Sequence, residues 1–222
     1  MARLARLVVP DLPHHVTQRG NRKQDVFFGV HDYSAYRALV AEACERTAVS
    51  CLAWCLMPNH LHLILTPPSP EGLRKALGEA HRRYSRRVNE AHGWTGFLFQ
   101  GRFASFVMDP AHLMVAVRYV ELNPVRAGLA ERAEDWPWSS ARAHISGRGD
   151  GLTDQSGLAG IVRDWRAMLE QGLEAGDCSA DEAIEAHSRT GRPWGDEAFL
   201  ERLEATTGRS LRPRRPGRKP RR

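Results

Sequence analysis

Nine residues, Met57-Pro58-Asn59-His60-Leu61-His62-Leu63-Ile64-Leu65, limit what this chain can fold into more than any other stretch. Side chains two apart on a β-strand point to the same face. Leu61, Leu63 and Leu65 therefore predict a face turned into a core, and His60 and His62 a second, wetter face. Two imidazoles side by side on a rigid strand form half of a metal site. They are equally compatible with strand histidines in ordinary hydrogen bonds. The missing ligand and the chemistry must come from elsewhere in the chain.

The rest of the chain narrows the setting. At 222 residues, 42% of them hydrophobic, it can bury a real core as one domain plus an extension. There is no run of 18 or more apolar residues and no secretory-type start, which predicts no membrane span and a cytoplasmic protein. Cys44, Cys51, Cys55 and Cys178 form no paired framework and read as reduced thiols. The net charge of +6 is segregated. Residues 1–130 carry 16 Lys and Arg against 10 Asp and Glu, residues 131–208 carry 8 against 16, and residues 209–222 carry 8 against none. A basic body and a basic tail around an acidic middle suggest a polyanionic partner met at two places.

In chain order, Val16–Arg22 reads as a short strand and turn, preceded by His14 and His15, which could contact a phosphate or a metal. Asp32 can cap a helix to about Thr47. Val49–Met57 is strand-like, and the Pro58-Asn59 turn makes it a hairpin with the histidine strand. A long helix from Ser69 or Pro70 to about His92 carries Arg82, Arg83, Arg86 and Arg87, guanidinium groups suited to phosphate. An aromatic, Gly-rich loop containing Arg102 runs into a strand, Phe103–Met108. Asp109-Pro110 starts a helix that Asn123-Pro124 should end. Trp136-Pro137-Trp138 anchors a last short helix. This order predicts an α+β fold, a ferredoxin-like split βαβ antiparallel sheet with helices on one face. The expected division is a catalytic domain over 1–146, an acidic, partly helical extension over 147–208, and a disordered basic tail over 209–222. In that tail, Arg214, Arg215, Arg218 and Lys219 surround a Pro-Gly-Arg-Lys-Pro segment like a minor-groove hook.

Tyr119 and Asn123, four apart on a helix, share a face. If that face meets the histidine strand, His60, His62 and Asn123 converge as metal ligands beside a phenol, with Arg118 at hand to help activate it. Such a set can perform phosphodiester transesterification.

Cys55-Leu56-Met57-Pro58-Asn59-His60-Leu61-His62 resembles the signature of the single-tyrosine HUH transposases of insertion sequences. Phe99-Gln100-Gly101-Arg102-Phe103, Tyr119 to Leu129, and Trp136-Pro137-Trp138-Ser139-Ser140 are similar to their REP-associated branch. The resemblance covers residues 14 to about 145. It implies nicking and joining of single-stranded DNA at palindromic hairpins through a 5′-phosphotyrosine link, with Mg²⁺ or Mn²⁺ as cofactor. It also implies Tyr119 as nucleophile, His60, His62 and Asn123 as metal ligands, and a monomer or a homodimer. A hairpin-binding regulator without catalysis and a metal-dependent hydrolytic nuclease remain as alternatives.

Overall fold

The structure, a computed structural model, describes residues 6–174 and 178–212. Its sheet contains β1 (His14–Arg19), β2 (Ser50–Met57), β3 (His60–Thr66) and β4 (Ala104–Val107) in the order β2-β3-β1-β4, and each pair of neighbours is antiparallel. The crossovers are α1 (Val30–Thr47) and α2 (Gly72–His92). This is the expected split βαβ order, with the histidine strand among the two central strands.

Alternation within the strands gives the sheet two buried faces. Trp54, Leu56, Leu61, Leu63 and Leu65 pack under α1 and α2, against Tyr36, Val40, Leu77 and Tyr84. Ala53, Cys55, Ile64 and Phe106 face the other way, against Leu113, Ala116, Val117 and Val120 of α3 (Pro110–Arg126). The two crossover helices thus share one face as expected, while α3 adds a layer on the opposite one. Cys44, Cys51 and Cys55 are free and buried, and burial pushes the Cys44 thiol up to about 12.

α3 corrects the sequence reading. Asp109 caps it as expected, accepting from the backbone of His112 at 2.8 Å. The helix does not stop before Pro124 but continues to Arg126. Proline forfeits one backbone hydrogen bond and crowds the preceding turn. Here Leu122 and Pro124 are both buried, and the turn closes through bonds from Ala127 to Asn123 and from Leu129 to Pro124. Burial outweighs the local preference, so Asn123 remains in helical register with Tyr119.

The rotation of α3 about its axis is fixed by Glu121, which is fully buried. Its Oε1 accepts from Ser140 Oγ at 2.6 Å and lies 2.6 Å from Nδ1 of His144 on α4 (Ala141–Ser146). Trp136 Nε1 donates to the Leu56 carbonyl at 3.0 Å, so the tryptophan segment is anchored as expected.

The acidic extension packs onto the body. It comprises α5 (Trp165–Glu174), α6 (Cys178–Thr190) and α7 (Glu197–Thr207). Ile184 of α6 joins the α3 core, and Phe199 and Leu203 of α7 pack with Leu7, Val9 and Val107. The extension is thus partly helical, as expected for residues 147–208. Arg214, Arg215, Arg218 and Lys219 lie outside the described residues. Among the described residues no helix is long and apolar enough to cross a membrane.

Candidate active site

β1 and β3 lie side by side, with Thr17 opposite His62 and Arg19 opposite His60. α3 crosses the same face. His60, His62, Tyr119 and Asn123 line one cleft of about 420 Å³, together with Thr17 and Arg19 of β1 and Glu185, Ser188 and Arg189 of α6. The four residues named from the sequence therefore come together within a single chain.

The rings are close. His60 and His62 meet edge to face at 5.0 Å between centroids, and Tyr119 meets His62 edge to face at 5.4 Å. Nδ1 of His60 lies 2.6 Å from Oδ1 of Asn59. An amide oxygen only accepts, so this contact puts the proton on Nδ1 and leaves the Nε2 lone pair free. Nδ1 of His62 lies 3.1 Å from Nε2 of His15, and the two rings stack at 5.2 Å. Nε2 of His62 is buried without a hydrogen-bond partner among the described residues. A buried, unpaired polar nitrogen calls for a partner.

Electrostatics keep these imidazoles neutral. Burial lowers His60 to about 4, with the Arg19 charge adding to the effect. Burial also lowers His62 well below the usual value, helped by His60, His15 and Arg19, and brings His15 to about 3. Neutral imidazole is the form that binds metal. Asn123 donates its Nδ2 to the Tyr119 carbonyl at 3.0 Å, so its carbonyl end is the one available as a ligand. Two imidazoles and an amide oxygen thus fit a divalent cation. Among the described residues no group of three or more His, Cys, Asp or Glu side chains could hold one.

Tyr119 is half-buried, and its phenol is raised above its ordinary value, chiefly by burial. Glu185 and Asp181 push it further up, while the Asn123 amide and the Arg126 guanidinium pull it down. Arg126 sits 5.9 Å from the ring centroid and is paired with Asp181 at 2.7 Å. Arg118, expected beside the phenol, instead packs its side chain against Gly172 of α5. Adjacent helical residues point about 100° apart, whereas residues seven apart nearly align. His112 is held by Asp109 and Trp194, away from the cleft. Of the other residues at the site, His15 was open from the sequence to a phosphate or metal contact, whereas Glu185, Ser188 and Arg189 carried no motif that singled them out. The alternation of His15, Thr17 and Arg19 along β1 was the available signal for the first.

The basic residues of α2 lie on the other side of the sheet and do not form one free cluster. Arg82 pairs with Glu79 at 2.8 Å, Arg83 with Glu42 of α1 at 2.6 Å, and Arg86 with Glu90 at 2.7 Å, while Arg87 is exposed. Arg82 and Arg102 come together with Arg6 and Arg74 along a groove of about 480 Å³ between α2 and the loop before β4. Phe97 also lines this groove and is 85% exposed.

A REP-associated tyrosine transposase of Haemophilus influenzae is 25% identical over 121 residues, spanning 49% of this chain and 69% of that protein. A REP-associated tyrosine transposase solved bound to a REP hairpin superposes with a TM-score of 0.54 at 21% identity, over 68% of this chain and 90% of the other, a likeness of fold. The family model described as "Transposase IS200 like" matches residues 8–123, a span that opens before β1 and closes on Asn123. The chain belongs to the IS200-like transposase family.

Proposed function

We propose that this DNA-nicking transposase cleaves and rejoins single-stranded DNA beside a palindromic hairpin, with Tyr119 as the attacking group. The observation that carries this reading is the phenol of Tyr119 meeting a pair of neutral, metal-competent histidines in one open cleft. A divalent cation, Mg²⁺ or Mn²⁺, held by His60, His62 and Asn123, would act there as a Lewis acid on the scissile phosphate.

The residues of the chain do the rest. Tyr119 Oη forms a bond to phosphorus as the bond from phosphorus to the 3′ oxygen breaks. The phenolic proton is lost and the departing oxygen leaves as a 3′-OH. The 5′ side is then esterified to Tyr119. Because one phosphodiester replaces another, a 3′-OH can reverse the step and join strands. The phenol is protonated at neutral pH and burial raises it further, so Arg126 and the Asn123 amide, which both favour the phenolate, serve the reaction. The direct test is incubation of the protein with Mn²⁺ and single-stranded hairpin DNA bearing single-stranded flanks, read on a denaturing gel. A protein–DNA adduct is expected. Cutting without an adduct would instead favour the hydrolytic nuclease, and binding without cutting the regulator.

A relative solved with a REP hairpin supports a hairpin as substrate here as well. Its docking surface is proposed as the groove of Arg82 and Arg102, where an exposed aromatic lies among guanidinium groups, the pattern suited to nucleic acid. Exposed ion pairs such as that of Arg82 with Glu79 are weak and exchange readily for phosphate. The double change Arg82→Ala, Arg102→Ala is expected to flatten the salt dependence of hairpin binding by roughly 0.7–0.9 per lost phosphate contact. An unchanged slope would move the hairpin elsewhere. The tail residues Arg214, Arg215, Arg218 and Lys219 are proposed as a second contact. In this reading residues 1–146 are the catalytic body, 147–208 an extension that lends α6 to the cleft, and 209–222 the tail.

His15 is proposed to orient His62, holding its Nδ1 so that Nε2 faces the cation. Partners of this kind typically contribute 10–100-fold to metal affinity. His15→Ala is therefore expected to weaken Mn²⁺ binding by about that factor, measured by the loss of the free-ion Mn²⁺ signal in electron paramagnetic resonance. Unaltered Mn²⁺ affinity in a folded variant would leave His15 a packing residue.

A further inference from the structure

The cleft contains two guanidinium groups that the chemistry above does not use. Arg19 ends β1 directly opposite His60 in the strand register. Arg189 lies one turn beyond Glu185 on α6, and both line the same cleft as Tyr119. Arg126, also near the phenol, is tied to Asp181. By contrast, the side chains of Arg19 and Arg189 make no ion pair or hydrogen bond among the described residues. α6 is not loosely placed: Ile184 is fully buried, and His187 stacks on Trp194 at 5.7 Å and lies 2.9 Å from the Arg192 carbonyl. Its Glu185–Arg189 face is thereby held towards the sheet.

A DNA strand entering this cleft brings one negative charge per nucleotide against walls of neutral histidine, amide and phenol and the carboxylate of Glu185. Desolvating those phosphates is costly unless each meets a charged donor. A cation at the histidines serves the scissile phosphate, and its neighbours need other partners. Guanidinium offers a bidentate match to phosphate and is always charged. We propose that Arg19 and Arg189 bind the backbone phosphates on either side of the scissile one, Arg19 from the sheet and Arg189 from α6. α6 is then a DNA-binding element, although it lies beyond the residues 8–123 that the family model matches. The inference rests on the reading of Tyr119 as the reacting group, because that reading puts the strand in this cleft.

The test uses the full chain and hairpin oligonucleotides whose single-stranded flank carries one uncharged methylphosphonate, moved phosphate by phosphate. Binding is read by fluorescence anisotropy. On unmodified DNA, Arg189→Ala is expected to weaken binding roughly tenfold, as for a lost charge-assisted hydrogen bond. On the oligonucleotide neutralised at the contacted phosphate, variant and wild type should bind alike. Arg19→Ala should show the same pattern at a different phosphate, and Arg189→Lys should restore part of the loss. A penalty equal at every methylphosphonate position, or no penalty at all, overturns the proposal. Arg189 is exposed, so thermal unfolding of its variant should match that of wild type. The failures are separable. The position-specific pattern without any adduct would sink the tyrosine chemistry and keep the phosphate sites. An adduct without the pattern would do the reverse.

Discussion

Tyr119→Phe is expected to abolish both DNA cleavage and the covalent adduct, while hairpin binding stays within about twofold of wild type. The change removes one oxygen and keeps a ring that packs against the α3 core, so the fold should tolerate it. It leaves His60, His62 and Asn123 in place, and with them the site for a cation. Loss of an essential nucleophile typically costs on the order of 10⁴–10⁶ in rate, so residual cutting should fall below detection. The other three tyrosines offer no substitute. Tyr33, Tyr36 and Tyr84 are buried in the core under α1 and α2, where burial raises each phenol, Tyr33 to about 12. Mass spectrometry of trapped wild-type adduct should place the DNA on the peptide containing Arg118-Tyr119-Val120. An adduct on another tyrosine would reassign the nucleophile, and normal cutting by the Phe variant would refute the mechanism.

Mild acid should destabilise this protein well before its carboxylates titrate. Burial holds His14 and His60 at about 4, His15 and His81 at about 3, and His62 well below its usual value. The unfolded chain takes up these protons near 6.5, whereas the native state resists them. The unfolded state therefore binds more protons below pH 6.5, and stability is full above that value and falls as the pH drops towards 4. Between pH 7 and pH 5 a group moved from 6.5 to about 4 costs on the order of 2 kcal/mol. His15 and His62 are hydrogen-bonded to each other, so the five costs are not independent. Even a few of them amount to a large part of the roughly 5–15 kcal/mol that holds a domain together. Depressed carboxylates such as Asp109 and Asp154 lose their contribution only at lower pH. Urea unfolding at pH 7 and pH 5 should show the midpoint falling steeply. A flat midpoint down to pH 5 would mean that water reaches these rings.

The sheet and its two crossover helices were legible because short apolar runs bounded by turn residues mark the strands, and apolar residues at helical spacing mark α1 and α2. The pairing of Tyr119 with Asn123 was legible for the same reason. The end of α3 was not, because a local rule about proline competes with the burial of Leu122 and Pro124, which only tertiary packing reveals. α6 carries one fully buried aliphatic side chain, Ile184, too little to register as a periodic face. His15 could be seen to alternate with Thr17 and Arg19, but no local pattern says that β1 lies beside β3. Arg118 was named from adjacency in sequence, which on a helix is the wrong measure of adjacency in space, and Arg126 was not singled out.

The gathering of His60, His62, Tyr119 and Asn123 in one cleft of one chain has a stoichiometric consequence. Each copy presents one phenol and, on the proposed chemistry, can hold one severed DNA end at a time. Nicking followed by resealing is then an event of a single molecule, first order in protein. Exchanging two different ends requires two charged copies at once, or release of one end before capture of the next. On the proposed chemistry the same cleft would support a reversible nick by one copy, and an exchange of ends through two loaded copies or two successive captures.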